Sequence, residues 1–191
     1  LGQAYGLRAL YYYTLLKTWG DVPIILEPLT DVDPSALSRA RSPQNDVMAQ
    51  IKSDLAASLS AFGSDDSFYQ GSRIFWSKAA TLALKGDVFI WSGNLLGGGT
   101  ADFNEAKTAL QQIASLGVSL ESSIDNLWGV GNEDTNEFIF AMQYKRDEAS
   151  NLISMVIPRV MGHGIYAQDR HHLDHAPVYQ KRFRAHQQCC W

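Results

Sequence analysis

Residues 4–25, which read AYGLRALYYYTLLKTWGDVPII, join an aromatic-rich helix to a fixed stop and then to an extended segment. Gly20 suits the left-handed conformation that ends a helix, and Pro23 cannot continue one. The apolar spacing predicts that Leu7, Leu10, Tyr11, Leu15 and Trp19 form the buried face. Helical periodicity is already running by Ala4 with no capping residue before it, so the chain is expected to start inside an element.

Further helices follow from local signals. Ser42 as N-cap and Pro43 at the first helical position open the second, whose stripe is Val47, Ile51, Leu55, Leu59 and Phe62 with Met48 beside it, and Gly63 closes it. The third runs from about Phe75 to Trp91 and is apolar nearly all round, interrupted by Lys78, Lys85 and Asp87, which places it in the middle of the packing. Asp102 with Glu105 three residues on has the spacing of a capping box and opens the fourth. Ala106, Leu110 and Ile113 are its expected buried face, and Gly117 its end.

Leu82, Gly86 and Phe89 set against Ala106, Leu110 and Ile113 resemble a degenerate tetratricopeptide repeat, in which small residues let two antiparallel helices approach closely. Lys85 departs from that pattern, as does a connection from Gly93 to Ala101 that is long for the repeat. An ordinary helical bundle satisfies the same periodicity. After Gly117 the character changes, and the β-forming run Glu137 to Tyr144 predicts a short strand. Leu127 and Trp128 are expected to pack on the helices, with a turn-rich loop from Gly129 to Thr135.

Four stretches in one order, LRALYYYTLL, WGDVPIILEP, RIFWSKAATLALKGDVFIWSG and NEFIFAMQY, resemble the SusD/RagB family of nutrient-binding outer-membrane proteins. The resemblance covers residues 1–144 and is that of an internal piece of a longer member. It implies a mainly α, SusD-like helical-repeat scaffold with long loops over 1–144, followed by an irregular region over 145–191. It also implies capture of a glycan or other nutrient at the bacterial surface and its delivery to a TonB-dependent, SusC-like outer-membrane transporter, without bond chemistry and without a cofactor. Lipid anchoring at the outer membrane is implied likewise, although no signal peptide or anchor cysteine is visible in these residues.

Charge and motifs narrow the classes further. A formal net charge of −4 offers no footprint for nucleic acid. No apolar run reaches the roughly 18 to 20 residues that cross a bilayer. No G-x-S-x-G elbow, phosphate-binding Gly-x4-Gly-Lys loop or H-E-x-x-H helix occurs. Gly97 to Gly99 reads as a loop, and the pairs Asp65 with Asp66 and Glu133 with Asp134 read as solvated turns. No catalytic residue is assigned.

All 5 histidines and both of the 2 cysteines lie from His163 onward. His171 and His175 would share a helical face, with Asp169, Asp174, Cys189 and Cys190 nearby in sequence, but Gly164 and Pro177 oppose a long helix and no second pair fixes a coordination geometry. No metal site is assigned. Adjacent Cys189 and Cys190 cannot close an unstrained disulfide with each other. The segment from Asp169 to Trp191 holds few aliphatic residues, so a non-native tail is an equal reading of it.

Sugar binding needs flat aromatic faces for the apolar side of a pyranose and planar polar groups for its hydroxyls. Tyr11, Tyr12, Tyr13, Trp19, Trp76, Trp91 and Trp128 fall at helical or helix-end positions where burial is the expected fate. In the family resembled, the ligand-contacting aromatics lie largely before the first helix and in loops after the strand. That leaves Arg159, His163, Tyr166 and Tyr179 as the ligand-binding candidates. The alternative function is a helical-repeat scaffold for protein–protein interaction, and a metal-dependent enzyme using the histidine-rich tail stands third.

Overall fold

The computed structural model describes residues 1–28, 38–127, 132 and 135–143. The chain divides into two compact units, residues 1–119 and 120–191. The first unit is mainly α, with α1 (Gly2–Trp19), α2 (Gln44–Phe62), α3 (Lys78–Leu95) and α4 (Gly99–Ile113). α3 touches each of the other helices and forms the centre of the packing, as its apolar circumference requires.

Paired contacts give the helix directions. Along α1 and α2, Gly2 meets Ser58 and Phe62 while Arg8 meets Asp54, so the two run antiparallel. Along α3 and α4, Gly86 meets Leu110 and Gly93 meets Phe103, again antiparallel. Gly6 lies against Trp76 just ahead of α3, and Tyr13 reaches Trp91 and Asp87, so α1 and α3 run parallel. Two antiparallel hairpins stacked in this way are the arrangement of a helical repeat.

The buried face of α1 is rotated from the expected one. Gly2, Gly6, Ala9, Tyr12, Tyr13 and Leu16 are buried, whereas Tyr11, Leu15 and Trp19 are exposed. Small residues decide this: at Gly2 and Gly6 the rings of Phe62 and Trp76 occupy the space that a Cβ would need. Gly20 does end the helix, at φ 70°, with its N–H donating to the Leu16 carbonyl at 2.9 Å.

α2 begins one residue later than expected, at Gln44 behind Pro43. Ser42 does not cap it. The Ser42 N–H donates instead to the Val22 carbonyl at 3.0 Å, forming an isolated antiparallel bridge. The cap is remote: Asp21 Oδ1 accepts from the Gln44 N–H at 2.9 Å. Val47, Met48, Ile51 and Leu55 are buried as the stripe predicts, together with Asp54 and Ser58, and Gly63 follows the helix at φ 55°.

α3 starts at Lys78 rather than near Phe75, because Ser77 is its N-cap and accepts from the Ala80 N–H at 3.2 Å. Only Leu96 to Gly98 separate α3 from α4, so the long connection expected from Gly93 to Ala101 is absent. Asp102 and Glu105 form no capping box. Asp102 lies inside α4 and takes Lys52 as partner at 2.7 Å, while Glu105 takes Lys85 at 2.8 Å. Ala106, Ala109 and Ile113 are buried; Leu110 covers Gly86 and keeps an exposed side. The chain leaves the helix at Ile113, ahead of the turn at Gly117.

In the second unit a short 3₁₀ turn spans Ile124–Asn126. The expected strand over 137–144 does not form in its described part. Residues 136 and 137 are in a turn closed by Phe138 N–H on the Thr135 carbonyl at 3.2 Å, and 138–143 carry no strand. β-forming side chains make a strand only where a neighbouring strand supplies a ladder, and no strand occurs among the described residues. Trp128, the pair Glu133 and Asp134, and the region 145–191 lie outside the described residues.

Candidate functional site

The ligand-binding candidates Arg159, His163, Tyr166 and Tyr179 lie outside the described residues, as do His171, His175, Asp169, Asp174, Cys189 and Cys190. Among the described residues no cluster of His, Cys, Asp and Glu has the makings of a metal site. None of their helices is long and apolar enough to cross a membrane. The helical unit has polar chemistry of its own.

Its interior polar groups hold helices together. Asp54, 1% exposed, accepts both Arg8 Nε at 2.8 Å and Arg8 Nη2 at 2.7 Å, and Gln50 adds a third hydrogen bond at 2.9 Å. That fork pins α1 to α2, and the hydrogen bonding to Asp54 raises the Arg8 pKa despite partial burial. Lys52 and Asp102 join α2 to α4. Burial opposes the Asp102 charge, but hydrogen bonds from Lys52 and Ser92 outweigh it and hold the carboxyl below its usual pKa. The Lys52 and Lys85 ammonium groups lie 4.5 and 5.3 Å from the Phe89 ring centroid.

A chain of hydroxyls lies deeper. Ser58 Oγ donates to the Gly2 carbonyl at 2.7 Å and lies 2.9 Å from Thr81 Oγ1, which accepts from Trp76 Nε1 at 2.8 Å and has its one proton between Ser58 Oγ and the Ser77 carbonyl, the latter at 3.2 Å. Each of the two hydroxyls and the indole N–H in this chain is thereby engaged. Tyr13 is buried beside Asp87, and burial followed by that charge pushes its phenol pKa well up. It stays neutral and structural.

The surface differs from the sequence expectation. Tyr11 and Trp19, read as buried, are 63% and 60% exposed, with Leu15 between them on the same outer side of α1. The neighbouring hydroxyls of Thr14 and Thr18 donate to the carbonyls of Leu10 and Thr14 at 2.9 and 2.8 Å, so these threonines are internally satisfied. Beyond the helix, the Tyr12 hydroxyl accepts from the Ile25 N–H at 2.7 Å and donates to its carbonyl at 3.0 Å, fastening the extended segment to α1. Tyr69 is exposed as well and meets Phe75 edge to face at 5.0 Å. Flat aromatic faces exist, then, outside the region where sequence reasoning sought them. Gly2, Gly6 and Ala9 were the signal that could have found them, since small residues mark the side another helix approaches.

Residues 1–86 match a SusD-like family model whose description is starch-binding associating with outer membrane. No curated protein matches the chain. Among solved structures, NanU of Bacteroides fragilis is 46% identical, with a TM-score of 0.71 over 78% of this chain and 29% of that protein. A SusD superfamily protein from Bacteroides vulgatus is 39% identical, with a TM-score of 0.68 over 77% of this chain and 29% of its own. Another from Bacteroides fragilis is 35% identical, with a TM-score of 0.67 over 78% and 31%. The chain thus spans less than a third of the length of each of these proteins.

Proposed function

The chain belongs to the SusD superfamily, and from that premise we propose that it is the helical scaffold of a nutrient-capturing protein of the bacterial outer membrane. The ligand is an oligosaccharide or a chemically similar nutrient, held by stacking and hydrogen bonds and released unchanged. Its recipient is a TonB-dependent, SusC-like transporter in the same membrane. Lipid anchoring with exposure at the cell surface completes this reading, and Arg159, His163, Tyr166 and Tyr179 remain its candidate ligand contacts.

The observation that carries it is the family match over residues 1–86 together with the identity of 46% to a solved relative that superposes with a TM-score of 0.71. The described polar groups fit a binding scaffold, since the buried carboxylates Asp54 and Asp102 are engaged by Arg8 and Lys52. Calorimetric titration with malto-oligosaccharides and other glycans tests the ligand, and co-purification with a transporter from Bacteroides outer membranes tests the partner. Saturable heat with at least one glycan is expected. No heat with any glycan and no transporter recovered would overturn the proposal.

One observation favours the second reading, a helical-repeat scaffold for protein partners: the exposed outer side of α1 bearing Tyr11, Leu15 and Trp19. Transporter recovery without glycan binding would favour it.

A further inference from the structure

No further inference is drawn: the strongest candidate, the outer face of α1 formed by Tyr11, Leu15 and Trp19, is exposed, but nothing in the structure shows what covers it.

Discussion

The indole of Trp76 occupies the space that a side chain at Gly6 would fill, with Nε1 the atom nearest to that missing Cβ. Trp76 is 5% exposed and its N–H is committed to Thr81, so it has little room to retreat. Gly6→Ala is therefore expected to destabilise the fold by about 1–3 kcal/mol through overpacking, more than the roughly 0.5–1 kcal/mol of helix propensity it gains. Urea unfolding followed by tryptophan fluorescence checks this; a higher midpoint for the variant would refute the close approach.

Arg8 and Asp54 differ in what their loss leaves behind. Removing the guanidinium with Arg8→Met strands a buried carboxylate, for a cost of about 3 kcal/mol. Replacing both, as in Arg8→Met with Asp54→Leu, leaves no orphan charge and should recover much of that loss. A double-mutant cycle by chemical denaturation measures the difference, and additive losses would show that the pair is not coupled.

Acid should expose the Lys52–Asp102 link. The Asp102 pKa is lower in the folded chain than its usual value, so its stabilisation is present above the unfolded carboxylate range near pH ~4 and lost as the pH falls through the folded value. Asp102→Asn lacks this contribution at every pH. The stability gap between parent and variant is thus expected to be widest near neutrality and to close toward pH ~2. Equal gaps in urea midpoints at the two ends would rule out the link as the source.

Gln70 has φ 54° and ψ 21°, Gly71 follows at φ 72°, and the Ser72 N–H closes the turn on the Tyr69 carbonyl at 3.1 Å. Two successive left-handed residues suit asparagine followed by glycine far better than glutamine followed by glycine. Gln70→Asn is expected to raise stability by about 0.5 kcal/mol, seen as a higher melting temperature by circular dichroism. A lower one would mean that the turn is not in this conformation.

The helix ends were legible because glycine marks them: Gly20 and Gly63 sit at positive φ directly after α1 and α2. The face of α1 was not. Between Leu10 and Leu16 nearly every residue is apolar, so periodicity admits two faces and the choice falls to Gly6 and Ala9, whose smallness matters only beside a neighbour. Asp102 and Glu105 had the right local spacing for a cap, but their lysines come from 50 and 20 residues away, a distance in sequence that no local rule reads. The same holds for Asp21, which caps α2 from the far side of a bridge. The candidate ligand contacts Arg159, His163, Tyr166 and Tyr179 rested on family resemblance, and their positions fall beyond the residues described.

The hydroxyl chain from Trp76 through Thr81 and Ser58 to Gly2 crosses from the entry of α3 to α2 and then to the first residue of α1. Thr81 to Ser58 is the link that breaks when the hairpins part, since Trp76 to Thr81 is local to the entry of α3 and Ser58 to Gly2 lies within the first hairpin. The indole of Trp76 is seated against Gly6 of α1, so its exchange with solvent deuterium reports the parting of α1 from the entry of α3 together with any loosening of the first turn that holds Thr81.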